Sequence, residues 1–228
     1  KYAIVAETVK RIRQDLPPDV GLIGFCGAPW TVATYMIAGR GTPDQAAARL
    51  WAYRDPAGFA RLIDLLTETS VEYLAGQVAA GADALQIFDT WAGNLPSGQF
   101  DRWVIQPTRE IVRRLRRRGV DVPVIGFPRG GSNRSRRFVE QTRVDGIGCD
   151  TAMSVGTMRS LAVSHVVQGN LDPLLVVVGG QAMEDRVRVI LDMMRGKRFV
   201  FNLGHGIVPE TPLENVARLV DLVRGEGA

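Results

Sequence analysis

Cysteine is scarce: Cys26 and Cys149 are the only two in 228 residues. They form no C-x-x-C pair and no zinc-ligand spacing, which excludes a disulfide framework and a zinc ribbon. Reduced thiols in a cytoplasmic protein, both buried as small apolar residues, are the expectation. Histidine is equally scarce. His165 and His205 stand alone, and neither belongs to a His-Glu-x-x-His pattern, so no metal site is expected. Long apolar runs are missing. The longest, Leu174 to Val178, stops at Gly179-Gly180, far short of the roughly 18 residues of a membrane-spanning helix; no membrane role is expected. The chain also lacks G-x-G-x-x-G, G-x-x-x-x-G-K-[ST] and G-x-S-x-G. Dinucleotide-fingerprint, P-loop and nucleophile-elbow chemistries therefore have no support.

What is present describes a globular chain. Apolar residues make up 46%, charged residues 23%, and mean hydropathy is +0.01. The net charge of +4 points at first to a polyanion partner. Five arginines in one run, Arg113, Arg114, Arg116, Arg117 and Arg118, account for it. Without them the basic count falls from 28 to 23 against 24 acids, a net charge of −1. The run ends at Gly119 and reads as the last turn of a helix, where the dipole favours cations. Aromatic residues do not interleave with it, as stacking on single strands would require. Nucleic acid is not an expected partner.

Short apolar runs alternate with helical patterns. The runs are Val20 to Phe25, Ala84 to Phe88, Val122 to Phe127, Gly146 to Cys149, His165 to Gln168 and Arg198 to Leu203. Each is apolar on both alternating faces, as buried parallel strands are. Asp55-Pro56 predicts a helix start, with Asp55 as N-cap and the stop at Gly81. Gln99 to Arg118 predicts a helix interrupted near Pro107, and Gln181 to Arg195 another. Thr211-Pro212-Leu213-Glu214 predicts a capping box with Thr211 as N-cap. Strands alternating with helices imply parallel βαβ units, in a doubly wound sheet or a (β/α)8 TIM barrel. The missing dinucleotide fingerprint favours the barrel. About six of its eight units are visible, and the mid-helix opening at Lys1-Tyr2-Ala3 places the other two before Lys1.

Active sites of barrels lie at the C-terminal ends of strands. That rule selects Gly24 to Trp30, Phe88 to Gly93, Gly126 to Gly131, Gly148 to Asp150, Gln168 to Pro173 and Asn202 to Gly206. Glycines there let a ligand approach the backbone. His205 ends a strand between two glycines and is the functional candidate of the two histidines; His165 starts a strand. Asp89, Asp150 and Asp172 read equally as acids or bases and as helix caps.

These segments resemble the uroporphyrinogen decarboxylase family. The resemblance rests on Gly24-Phe25-Cys26-Gly27-Ala28-Pro29-Trp30-Thr31 followed by Tyr35-Met36-Ile37 and Gly39, then Ile87 to Gly93, Gly126 to Gly130, Gln168 to Pro173 and Phe201 to Ile207. It covers residues 1–228 as the C-terminal two thirds of a single barrel domain. The resemblance implies decarboxylation of the four acetate side chains of uroporphyrinogen III to give coproporphyrinogen III, without metal or organic cofactor, in a homodimer. It implies Tyr35, Thr90 and His205 as polar site residues and Phe25 and Phe88 as apolar contacts to the macrocycle. Gly27 and Arg129 join them as substrate-binding candidates. Cys26 stands where the family more often has Ala. The family's R-Q-A-G-R-Y motif and its pyrrole-binding Asp do not occur in these 228 residues, so this stretch alone is expected to be inactive. A corrinoid-linked, zinc-dependent methyltransferase of the same barrel type is the alternative. It needs His and Cys ligands at strand ends, where this chain offers His205-Gly206-Ile207.

Overall fold

A computed structural model describes residues 2–225. Lys1, on which the mid-helix opening was read, lies outside them. The chain divides into two compact units, residues 1–145 and 146–228. The first unit contains α1 (Ala3–Asp15), β1 (Ile23–Gly27), α2 (Pro29–Ala38), α3 (Ala46–Arg54) and α4 (Pro56–Ala79). It continues through β2 (Ala84–Asp89), α5 (Ser97–Phe100), a π turn (Asp101–Ile105), α6 (Gln106–Arg117), β3 (Val124–Pro128) and α7 (Ser135–Thr142). The second contains β4 (Gly146–Gly148), α8 (Val155–Leu161), β5 (Val166–Leu171), α9 (Pro173–Val178), α10 (Gly180–Met194), β6 (Phe199–Leu203) and α11 (Leu213–Arg224).

Pairing is parallel throughout each unit. In the first, Gly24 lies opposite Leu85 and Phe88 opposite Phe127. In the second, Ile147 lies opposite Val167 and Asn170 opposite Asn202. All six expected strands form, in chain order within each unit. Successive strand–helix units with parallel neighbours are the repeat of a (β/α)8 barrel, of which this chain carries six.

Side chains from α4 and from β2 and β3 build the first core. Phe59 is fully buried at its centre, with Trp30, Trp51 and Trp103 edge-on at 5.9, 5.6 and 4.8 Å. Such tilted contacts place ring edges against π faces and add to the area term. The second core gathers Ile147, Met158, Val167, Leu171, Met183, Val187 and Ile190.

Where the structure departs from expectation, local chemistry gives the reason. β1 starts at Ile23 rather than Val20, because Arg13 takes the backbone of residues 16–20. Its guanidinium donates to the carbonyls of Leu16, Pro17 and Val20 and to Asp83. The helix expected from Gln99 breaks as foreseen near Pro107, which sits in the first turn of α6 and has no N–H to donate. Thr211 is not an N-cap. α11 begins at Leu213, and the carbonyl of Pro212 accepts from the N–H groups of Asn215 and Val216. The fixed φ of Pro212 (−64°) with an extended ψ of 134° gives it the cap geometry one residue later. The buried hydroxyl of Thr211 is left without a partner among the described residues.

The arginine run ends α6, and most of it is paired. Arg113 and Arg114 bind Glu110, Arg114 and Arg118 reach Glu68 on α4, Arg118 also binds Glu72, and Arg116 binds Asp145. Hydrogen bonds from Arg113 hold the Glu110 carboxyl down at about 2. Asp55 caps α4 as expected, accepting from the Gly58 N–H at 2.8 Å. Replacing it, Asp55→Ala, is expected to cost about 1 kcal/mol in urea unfolding of the full-length protein. An unchanged unfolding midpoint would show that this cap carries no weight.

Candidate active site at the strand ends

The C-terminal ends of β1, β2 and β3 present a row of aromatic rings. Phe25 and Phe88 meet edge-to-face with centroids 5.9 Å apart, and Phe88 and Phe127 at 5.8 Å. The row follows from register: Gly27 faces Phe88 and Phe88 faces Phe127 across parallel strands. Phe127 is buried, Phe88 half-buried and Phe25 exposed at 56%. Phe25 is the middle residue of β1, an outer strand of this chain, and shares its open face with Ile23 at 45% exposure; the rings of Phe25 and Phe88 form a partly open apolar surface there.

Polar groups flank this row. Tyr35 projects from α2, 42% exposed, with its ring edge-to-face against Trp91 at 6.3 Å. Thr90 directly follows β2 and is half-buried. Arg129 directly follows β3 and is half-buried; its N–H donates to the carbonyl of Asp89. The first unit therefore holds Phe25, Gly27, Tyr35, Phe88, Thr90 and Arg129 at the ends of its strands or in the helix after β1.

Glycines here serve the protein as much as any ligand. A Cβ on Gly93 would lie 2.7 Å from Cα of Gly130, so the loops after β2 and β3 touch backbone to backbone. Arg134 locks the contact, donating to the carbonyls of Leu95 and Gly93 with its guanidinium 4.1 Å above the Phe100 ring. A Cβ on Gly27 would meet Val32 of α2 at 2.9 Å.

The three strand-end aspartates separate. Asp172 caps α9 through the Leu174 N–H. Asp150 accepts from the Ala152 N–H and shapes the loop after β4. Asp89 does neither. Its Oδ1 accepts from the Thr31 hydroxyl at 2.6 Å, and its buried Oδ2 has no partner among the described residues. Burial pushes this carboxyl up to about 7, against the opposing hydrogen bond from Thr31. Its ionisable neighbour on β1, Cys26, is itself pushed up to about 12 by burial and is uncharged. Cys149 behaves alike, also at about 12. Both cysteines are buried and are not bonded to each other.

In the second unit His205 lies two residues beyond β6 and is exposed. Gly204 before it admits no side chain, since a Cβ would lie 2.4 Å from the Thr151 nitrogen. Asn170, buried at the end of β5, donates to the carbonyls of Asp150 and Met153. His165 precedes β5, its Nδ1 2.9 Å from the Ser164 hydroxyl, at the opposite strand end.

One residue escaped the sequence reading. Gln77, buried in α4, pairs with the Phe25 backbone through both ends of its amide. Its Oε1 accepts from the Phe25 N–H and its Nε2 donates to the Phe25 carbonyl, each at 3.0 Å. The side chain thus acts as a strand neighbour for β1 at the residue bearing the exposed ring. Gly24 makes room for it; a Cβ there would lie 2.9 Å from Gln77 Oε1. The available signal was position: Gln77 continues the buried stripe Ile63, Leu66, Ser70, Leu74 of α4, where a long polar side chain needs a partner.

A family model described as uroporphyrinogen decarboxylase matches residues 1–226. The chain belongs to this family. It is 51% identical over 220 residues to the uroporphyrinogen decarboxylase of Chelativorans sp. (strain BNC1), covering 96% of this chain and 64% of that protein. Over 221 residues it is 50% identical to that of Brucella suis, covering 97% and 65%. The chain thus spans just under two thirds of the length of these relatives. Among solved structures, a methyltransferase from Methanosarcina mazei superposes with a TM-score of 0.80 over 99% of this chain and 65% of that one, at 23% identity. A B12-independent methionine synthase from Shewanella sp. W3-18-1 gives 0.65 at 12% identity, covering 97% and 67%. At such identities the likeness carries the fold and not the activity. Among the described residues no three His, Cys, Asp or Glu side chains gather as the zinc-dependent alternative would need.

Asp89 makes a pH prediction. Between pH 3.8 and about 7 the unfolded chain ionises this carboxyl while the folded chain keeps it protonated. The folded state then binds more protons, so Asp89 lowers stability as pH rises through that window. Asp89→Asn removes the contribution. In urea titrations of the full-length protein the wild type should lose stability relative to the variant from pH 4 to pH 7.5. A constant difference across that range would show that Asp89 ionises normally.

Proposed function

We propose that the protein carrying this chain is a carboxy-lyase that removes four carboxyl groups from uroporphyrinogen III, turning its acetate side chains into methyls. The product is coproporphyrinogen III, on the route to haem and related tetrapyrroles. The observation that carries the reading is the aromatic row at the strand ends, in a chain whose family is established. An apolar surface flanked by hydroxyls and a cation suits a large ring with an apolar body and eight carboxylates at its rim.

The chemistry asks for little beyond the substrate. An acetate on a pyrrole cannot lose CO2 directly, because the electron pair left on the CH2 carbon has no stabilising acceptor. Protonation of the pyrrole ring creates that acceptor. The C–COO bond then breaks, CO2 departs, and its electron pair passes into the ring. A second proton, delivered to the CH2 carbon, completes the methyl, and the ring returns its first proton. Net, one proton replaces one CO2 at each of four positions. The pyrrole takes the part that a cofactor plays elsewhere, and no metal or organic cofactor is proposed.

The residues follow these demands. Phe25 and Phe88 contact the macrocycle and exclude water beside the developing cation. Gly27, opposite Phe88 and with Val32 against its Cβ position, is proposed to meet the substrate through its backbone. The hydroxyls of Tyr35 and Thr90 donate to substrate carboxylates, and Arg129 supplies a charge-assisted bond. His205, at its own strand end in the second unit, is proposed as a further hydrogen-bonding residue. The arginine motif and pyrrole-binding Asp implied by the family resemblance are not within these 228 residues, so this stretch alone is proposed to be inactive. A cytoplasmic homodimer belongs to the same proposal and rests on the resemblance. No helix among the described residues is long and apolar enough to cross a membrane.

The test is turnover by the full-length protein. Anaerobic incubation with uroporphyrinogen III, followed by oxidation and chromatography, should show species with seven, six, five and finally four carboxylates. Phe88→Ala should lower kcat/KM by on the order of tenfold or more, the loss expected when an aromatic contact and its shielding disappear. Wild-type protein that leaves all eight carboxylates intact would refute the proposal.

A further inference from the structure

The first turn of α2 grips the backbone around Thr90 from three directions. The hydroxyl of Thr31 donates to Asp89 Oδ1 at 2.6 Å and accepts from the Trp91 N–H at 3.3 Å. The indole N–H of Trp30 donates to the Trp91 carbonyl at 3.1 Å. The residues on both sides of Thr90 are therefore held by one helix. Thr31, Trp30 and Asp89 are all buried, so these bonds act shielded from solvent competition. One turn further along the same helix face stands Tyr35, its ring against Trp91. Past the left-handed Gly39 that ends α2, Gly41 comes back over the pair, its Cβ position 3.5 Å from the Tyr35 ring.

Thr31 is thus the joint between a helix bearing Tyr35 and a strand end bearing Thr90. A hydroxyl is needed there because the same atom must donate to a carboxyl and accept from an amide; an amide or amine group cannot do both. Asp89 supplies the acceptor, its carboxyl enclosed, at the strand position after Phe88, where successive side chains alternate between faces.

We propose that Thr31 and Asp89 form a positioning pair that fixes Tyr35 relative to Thr90 while contacting no substrate themselves. The proposal rests on the reading of Tyr35 and Thr90 as substrate-binding residues. Loss of the pair leaves both side chains in place but lets α2 and the end of β2 shift independently, and misplacement by about 1 Å costs up to a hundredfold in rate.

The experiment uses the full-length protein with uroporphyrinogen III and the variants Thr31→Val, Thr31→Ser, Asp89→Leu, Tyr35→Phe and Thr90→Val. Thr31→Val keeps the shape and loses both hydrogen bonds; it should lower kcat/KM roughly tenfold to a hundredfold. Thr31→Ser retains the hydroxyl and should recover activity to within about threefold of wild type, as expected when the bond rather than the methyl matters. Thr31→Val should release the same seven-, six- and five-carboxylate intermediates as Tyr35→Phe, and the double variant should lose less than the product of the two single losses. A merely structural role would move unfolding without moving that intermediate pattern or the coupling. If Thr31→Val does not fold, Asp89→Leu, which removes the acceptor of the Thr31 hydroxyl, should release the same intermediates as Tyr35→Phe, and a wild-type pattern in it would overturn the proposal. Wild-type kcat/KM in Thr31→Val, additive losses, or a Thr31→Ser variant as impaired as Thr31→Val would overturn the proposal. Full activity in both Tyr35→Phe and Thr90→Val would bring down the underlying site reading, and the positioning pair with it. Impairment of those two with Thr31→Val unaffected would remove the pair alone.

Discussion

A carboxyl buried with one hydrogen bond is costly, and the strand ends of the first unit are organised around such a group. Asp89 is enclosed at the last position of β2, and among the described residues only the Thr31 hydroxyl offsets its desolvation. That single bond draws the start of α2 onto the end of β2. Once it is made, the Trp91 backbone falls within reach of Thr31 and Trp30, and the Trp91 ring within reach of Tyr35. The Asp89 carbonyl also receives the N–H of Arg129, so β3 joins the same arrangement. Three separate segments thus meet at one end of the sheet, α2 through the side chains of Thr31 and Trp30 and β3 through its backbone pairing with β2.

The backbone contributes as much as the side chains. Gly93 against Gly130, Gly24 beside Gln77, and Gly204 against Thr151 are each too close for a Cβ. These contacts bring backbone and side chains close at the strands and the loops after them, while the rings of Phe25 and Phe88 stay partly open. The positive charge of the chain is directed elsewhere. Most of the arginine run at the end of α6 is spent on Glu68, Glu72, Glu110 and Asp145. Exposed pairs of this kind contribute about 0–1 kcal/mol each, but they leave less basic charge available to a polyanion.

Much of this was legible beforehand. The strands stand out because β-branched and aromatic runs end at Gly or Pro, and that periodicity survives packing. Boundaries were legible only where a local signal decided them. Asp55-Pro56 worked because cap and N1 residue act through adjacent backbone. Thr211 failed because Pro212 could take the cap geometry itself, a choice that composition does not reveal. The expected start of β1 at Val20 lies three residues early because Arg13, in the helix before it, takes the carbonyls of Leu16, Pro17 and Val20. The strand-end aspartates could not be told apart, since cap, turn and buried acid differ only in their partners. The positions of Tyr35, Phe25 and Phe88 came from motif resemblance. What holds them, Gln77 and Thr31, was hidden because a hydrogen bond between elements leaves no periodic trace.

In the proposed complex the macrocycle rests on Phe25 and Phe88, and the buried Asp89 keeps its bond to Thr31. A crystal structure of the full-length protein with coproporphyrinogen bound addresses this arrangement most directly. Both rings should lie in van der Waals contact with one face of the macrocycle, at about 4 Å, with Asp89 still bonded to Thr31 and touching no ligand atom. A macrocycle bound away from Phe25 and Phe88, or a pyrrole N–H bonded to the Asp89 carboxyl, would contradict it.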